Sequence, residues 1–128
     1  MHLLKLFFII SVFSVFSGCS GSSGKTTMPS HKNPPVRMME ILKTVVTSGT
    51  MTPGMERDCK SVVNSEKTAL NAVSKLFPEE SGKLECWTKI QDYYVFSVKT
   101  KDDKMPPCSY VQILYIRSGT SKVYNYWP

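Results

Sequence analysis

Apolar residues follow three different spacings along this chain of 128 residues. They form a nearly continuous run at residues 6–16, recur at three- and four-residue steps between residues 36 and 77, and alternate with polar residues from residue 83 onward. A polar stretch rich in Ser, Gly, Lys and Pro, residues 19–36, separates the first region from the second. The change of period predicts helices followed by strands.

The stepwise spacing predicts two helices, the first over residues 36–47 and the second over residues 55–77, where Pro78 ends it. The first helix has one apolar face, made of Met38, Ile41, Leu42 and Val45. The second is weakest at Asn64-Ser65, since both residues suit an N-cap better than a helix interior.

The alternating region is dense in aromatic and β-branched residues, which favour strands. Four strands are predicted, at residues 83–90, 93–100, 108–117 and 122–127. Their short connections indicate an antiparallel meander. We therefore expect one α+β domain over residues 37–128, with two N-terminal helices packed on a four-stranded antiparallel sheet. This order resembles that of cystatin-like folds and of nuclear transport factor 2, as an analogy of fold alone.

The first apolar run has the features of an export leader. It follows Lys5, spans about 11 residues, which is too short to cross a bilayer, and ends at an abrupt change to polar residues. The junction Phe16-Ser17-Gly18-Cys19 resembles the lipobox of bacterial lipoproteins, although Phe16 stands where an aliphatic residue is usual. The resemblance implies a signal peptide at residues 1–18 and a lipid, such as palmitate, on Cys19.

The same resemblance implies a location. A lipid on Cys19 would anchor the chain to the membrane of the cell envelope, and Ser20 favours the outer membrane, facing the periplasm, in a Gram-negative host. Residues 19–36 would then be a flexible tether. The alternative is an ordinary secretory leader, a secreted protein, and a Cys19 that keeps its thiol.

Net charge and cysteine content further restrict the class of protein. The net charge is +6, and without the leader 15 basic residues face 10 acidic ones. The basic residues are scattered, which suits a modest affinity for anionic surfaces such as lipid head groups and does not indicate nucleic-acid binding. With Cys19 lipidated, Cys59, Cys86 and Cys108 allow one disulfide, and a bridge involving Cys86 is favoured. With Cys19 as a thiol, two disulfides are possible.

Catalytic and metal-binding patterns are missing from the predicted domain. The two histidines, His2 and His31, lie in the leader and the tether, so histidine-based catalysis is excluded from the domain. Most acidic residues sit at helix starts or in turns, and no cysteine pair has zinc-like spacing. We expect a protein without enzymatic activity, metal or cofactor.

Both faces of the central strands are apolar, and one helix covers only one of them. Either the first helix covers the second face, or that face binds a partner through Tyr93, Val111, Ile113 and Tyr115, with Trp127 as a further aromatic candidate. We expect an accessory factor that binds another envelope protein, in secretion, pilus assembly or toxin inhibition. The alternative is a carrier of a small apolar ligand between helix and sheet.

Overall fold

The computed structural model describes residues 27–48, 56–101 and 104–127. They form an α+β domain, the class predicted from the sequence, in which one sheet lies between helices. In chain order the elements are β1 (Ser30–His31), α1 (Val36–Ser48), β2 (Glu56–Asp58), α2 (Glu66–Leu76), α3 (Pro78–Ser81), β3 (Leu84–Ile90), β4 (Tyr93–Val98), β5 (Gln112–Arg117) and β6 (Lys122–Tyr126).

The sheet has six strands in the order β1-β3-β4-β5-β6-β2. Strands β3 to β6 form the antiparallel meander that the alternating pattern predicts. The prediction of four strands was incomplete, because β1 pairs in parallel with β3 at one edge and β2 pairs antiparallel with β6 at the other. Both added strands are exposed and only two or three residues long, so neither shows an apolar alternation.

A helix covers each face of the sheet. Beneath α2 lies a buried cluster made of Val63, Ala69, Leu70, Ala72, Val73, Phe77, Tyr94, Phe96, Val98, Leu114, Ile116 and Val123. Beneath α1 lies a second one, made of Leu42, Val46, Cys86, Ile90, Val95, Tyr110, Ile113 and Tyr115. The two sets alternate along β4 and β5, which explains why both faces of these strands are apolar in sequence. The first helix therefore covers the second face.

The second predicted helix was too long, because α2 begins only at Glu66. Ser65 is its N-cap, with extended backbone, and the Ser65 hydroxyl accepts a hydrogen bond from the backbone N–H of Thr68 at 3.2 Å. The backbone N–H of Ser65 donates in return to the Thr68 hydroxyl at 2.9 Å, which completes a capping box. Cys59, Val62 and Val63, which precede Ser65, belong to an irregular segment and not to a helix.

The third predicted strand was also too long at its start, since β5 begins at Gln112 and not at residue 108. Cys108 and Tyr110 have φ angles of 58° and 55°, in the left-handed region. Strand residues have negative φ, typically about −120° to −140°, so two residues with positive φ prevent regular pairing before Gln112.

A disulfide joins Cys86 on β3 to Cys108, with their Cα atoms 5.5 Å apart. This confirms the expected bridge involving Cys86, and it ties the segment that connects β4 and β5 to the middle of β3. The backbone N–H of Cys108 also donates to the Glu85 carboxylate at 3.1 Å.

The segment that leads into α1 lies against the sheet. Ser30 pairs with Cys86 and His31 with Trp87, and the His31 and Trp87 ring centroids are 4.6 Å apart. Pro34 is buried. The described part of the predicted tether thus contacts the domain, while the leader, Cys19 and the residues directly after it lie outside the described residues.

No helix within the described ranges is long and apolar enough to cross a membrane.

Candidate functional site

Three tyrosines meet at one end of the sheet, on the face that α1 covers. Tyr115 of β5 lies directly opposite Tyr124 of β6, and Tyr93 of β4 lies diagonally across from Tyr115. The ring centroids of Tyr93 and Tyr115 are 6.2 Å apart, and those of Tyr115 and Tyr124 are 5.3 Å apart. These separations are typical of interacting aromatic pairs, so strand register alone assembles the cluster.

The three tyrosines line a groove of about 540 Å³ between the end of α1 and the β5–β6 turn. We call it the tyrosine groove. Its other walls come from the last turn of α1, from Val62 and from the turn, and they comprise Val46, Thr47, Ser48, Val62, Arg117, Gly119, Thr120, Ser121 and Lys122. A groove of this size admits a few side chains of a partner or a small molecule.

The Tyr115 hydroxyl is the unusual group in the groove. Tyr115 is only 1% exposed, and its hydroxyl has no hydrogen-bond partner among the described residues. Burial, reinforced by the neighbouring Tyr124 and Tyr93, raises the pKa of Tyr115 above its usual value. The hydroxyl is therefore a neutral donor at physiological pH. A buried donor without a partner costs about 1–3 kcal/mol of folding stability.

Two ion pairs stand at the rim of the groove. The Arg117 guanidinium lies 3.1 Å from the Asp92 carboxylate, and the Lys122 ammonium lies 3.1 Å from the Glu56 carboxylate. The hydrogen bond from Lys122 to Glu56 raises the pKa of the lysine. All four side chains are about half exposed, so the pairs add little stability and give the groove a polar border.

A second, smaller cleft of about 210 Å³ opens on the other side of α1. Its lining is mostly apolar and consists of Met38, Ile41, Leu42, Val45, Ser109, Tyr110, Val111, Ile113 and Tyr126. Burial raises the pKa of Tyr110 to about 12, and its hydroxyl donates to the backbone carbonyl of Lys32 at 3.2 Å. Unlike Tyr115, this tyrosine has its polar group satisfied.

The structure divides the partner-binding residues predicted from the sequence among three places. Tyr93 and Tyr115 meet in the tyrosine groove, whereas Val111 and Ile113 line the apolar cleft, with Ile113 fully buried beneath α1. Trp127 lies at the opposite end of the sheet from the groove and is 50% exposed.

Sequence reasoning did not find Tyr124, Arg117 and Lys122 as groove residues. Tyr124 becomes part of the cluster only through the β5–β6 register, which a tight turn sets and which the spacing of residues does not specify. The aromatic residues near the chain end were the available signal.

Metal-binding geometry is missing from the described ranges, which bring no three His, Cys, Asp or Glu side chains together. No protein-family model matches this chain, and no curated protein or solved structure shows significant similarity to it.

Proposed function

We propose that this protein is a lipid-anchored component of the bacterial cell envelope that binds another envelope protein through the tyrosine groove. The tyrosine groove itself carries the proposal, because three interacting tyrosine rings line a concave surface of about 540 Å³ that also includes Arg117 and Lys122. The groove also has the composition of protein-binding surfaces, in which tyrosine and arginine are enriched.

The groove favours a protein partner over a small apolar ligand. Its tyrosines present rings and hydroxyls together, and ion pairs border it at Arg117 and Lys122. Such a mixed surface suits a peptide segment or a protruding loop. The more apolar cleft beside α1 measures about 210 Å³, which is below the roughly 300–1,000 Å³ of typical ligand pockets. A carrier function is therefore the second candidate.

The proposed anchor is a lipid on Cys19. The sulfur of Cys19 can form a thioether to lipid or a disulfide, and each bond excludes the other. Cys86 and Cys108 are joined to each other, so Cys59 is the cysteine with which Cys19 could form a second disulfide. Cys19 is the fourth cysteine of the sequence. The chemical state of Cys19 thus decides between an anchored protein and one closed by a second disulfide.

Mass spectrometry of the exported protein tests the anchor. The non-reduced N-terminal peptide should begin at Cys19 and carry the mass of a diacylglyceryl group, and Cys19→Ser should release the protein from the membrane fraction. A peptide that joins Cys19 to Cys59 through sulfur would overturn lipidation and leave the secreted alternative.

Photo-crosslinking in living cells tests the groove. A benzoylphenylalanine placed at Tyr124 lies in the groove, whereas one placed at Lys67 lies on the exposed side of α2 and serves as the control. The Tyr124 position should give one discrete protein adduct that the Lys67 position does not give. Equal patterns from the two positions, or no adduct at Tyr124, would overturn the proposal.

The purified protein also tests the second candidate, a carrier of a small apolar ligand. Native mass spectrometry of the purified protein would reveal a retained small molecule, and filling the apolar cleft with Val111→Trp should then displace it. The identity of a crosslinked partner would decide between an accessory subunit of a secretion or pilus apparatus and an inhibitor of a toxin.

A further inference from the structure

Basic side chains and an exposed tryptophan gather at the end of the sheet that lies opposite the tyrosine groove. Lys83 directly precedes β3, Lys99 directly follows β4, and Trp127 directly follows β6. The backbone N–H of Lys99 donates to the carbonyl of Lys83 at 2.7 Å, so the two lysines continue the β3–β4 ladder. We call Lys83, Lys99, Lys101 and Trp127 the lysine end.

The lysine end is a shallow, positively charged surface. Its residues surround a hollow of about 340 Å³ together with Glu80, Thr100 and Gln112. All three lysines are exposed, and Trp127 is 50% exposed. No salt bridge within the described ranges involves any of these lysines. Glu80 is the one acid in the lining, and Asp102 and Asp103, which follow Lys101 in sequence, lie outside the described residues.

The chain reaches the sheet at this same end. β1 runs parallel to β3, with Ser30 beside Cys86, so the residues before Ser30 lead back past Leu84 toward Lys83. Met28 packs against the core cluster that includes Leu84 at its border. Met28, close to the first described residue, therefore lies beside the lysine end and far from the groove.

We propose that the lysine end lies on the head groups of anionic lipids in the membrane that holds Cys19, and so orients the domain. Nine peptide steps separate Cys19 from Met28, and they span at most about 30 Å when fully extended. An anchored domain must therefore stay close to the bilayer, with this end nearest. Tryptophan favours the membrane–water interface, and lysines are attracted to anionic head groups.

The inference rests on the proposed anchor at Cys19. The fold brings together lysines that are scattered along the sequence. Lys83, Lys99 and Trp127 are far apart along the chain and meet because strands β3, β4 and β6 all have a terminus at one end of the sheet. The orientation leaves the tyrosine groove, at the other end of the same strands, facing away from the bilayer.

Tryptophan quenching by brominated phospholipids tests the orientation. The intact protein, purified from its own membranes, is reconstituted into vesicles that contain phosphatidylglycerol, and its fluorescence is compared with that in neutral vesicles. We expect quenching in the anionic vesicles that Trp127→Phe abolishes, since the half-buried Trp87 lies on β3 between His31 and Phe96.

A charge-matched pair of variants makes the test specific. The binding measurement uses the Cys19→Ser form, exported and purified. In this form, replacing Lys99 and Lys101 together by Gln should lower the affinity for anionic vesicles by about 10- to 30-fold, because each lysine near an anionic surface contributes about fivefold. Lys43→Gln with Lys67→Gln removes the same charge from the two helices and should change binding less than twofold. High salt should weaken the binding of the native lysine end.

The outcomes distinguish the two proposals. A lipidated Cys19 with an unquenched Trp127 would overturn the orientation and leave the anchor intact. Equal losses from the two lysine pairs would also overturn it, since net charge would then explain binding. An unlipidated Cys19 would overturn the anchor and, with it, this orientation.

Discussion

Tyr115 lies directly opposite Tyr124 across β5 and β6, with ring centroids 5.3 Å apart, and yet its hydroxyl has no hydrogen-bond partner among the described residues. Tyr110, in the cleft on the other side of α1, donates to the carbonyl of Lys32. Two tyrosines that are almost equally buried therefore differ in one polar contact, and this difference can be measured.

Replacing Tyr115 by Phe should leave the free energy of unfolding unchanged or raise it by about 1 kcal/mol, because the variant removes an unsatisfied buried group. The same variant should leave the yield of the crosslinked adduct at the groove unchanged, since it keeps the aromatic ring and removes only a buried hydroxyl. Tyr110→Phe is the matched control, and it should lower the free energy of unfolding by about 1 kcal/mol without affecting the adduct. Urea denaturation and adduct yield are the measurements. A Tyr115→Phe variant as destabilised as Tyr110→Phe would show that the Tyr115 hydroxyl is already satisfied.

Replacing both Cys86 and Cys108 by Ser should lower the free energy of unfolding by about 3 kcal/mol, as expected for a cross-link that closes a loop of this length. The double variant is more specific than a reducing agent, because it removes only the bridge between Cys86 and Cys108. An unchanged urea midpoint would contradict the structural role of the bridge.

Alkaline pH should destabilise the fold through its buried tyrosines. The folded-state pKa of Tyr110 is raised from 10.0 to about 12, and that of Tyr115 is also raised, in both cases mainly by burial. Below pH 10 both phenols are neutral whether the chain is folded or unfolded, so they add no pH dependence. Above it the unfolded state loses protons first, and stability falls by up to about 1.4 kcal/mol per pH unit for each tyrosine. For Tyr110 the decline continues to about pH 12.

Urea denaturation at a series of alkaline pH values measures this slope, and phenolate absorbance reports the ionisation. Tyr110→Phe and Tyr115→Phe should each flatten the decline. If neither variant changes the slope, the loss of stability at alkaline pH comes from other groups.

Replacing Ser65 by Ala should lower the free energy of unfolding by about 1 kcal/mol, since the N–H groups of the first turn of α2 lose their acceptor. Ser65→Asp keeps an acceptor at the N-cap and should restore most of the loss. Equal unfolding midpoints for Ser65→Ala and the native chain would show that the cap contributes nothing.

The strands of the meander were predictable because their side chains alternate and each connection is short. The start of α2 was visible only as a weak point, since Ser65 interrupts a pattern of apolar residues that otherwise continues at helical spacing. The register that places Tyr124 against Tyr115 was not predictable, because a shift by two residues would keep every side chain on the same face of the sheet.

The sequence also did not predict that Lys83, Lys99 and Trp127 meet at one end of the sheet. Nothing in the local sequence relates a residue before one strand to residues after two others, and the strand order supplies that relation. The edge strand β2 could not be separated from the helical pattern, since three charged residues carry no hydrophobic alternation.

The edge strand β2 also affects whether neighbouring copies of the domain pair through their sheets. An open sheet edge recruits strands from other molecules when it is long and apolar. Here β2 ends the sheet with Glu56, Arg57 and Asp58, all exposed, and β1 covers the other edge for two residues between Pro29 and Pro34. Charge on one edge and proline beside the other discourage intermolecular β-pairing, so copies at high local concentration can remain individually folded.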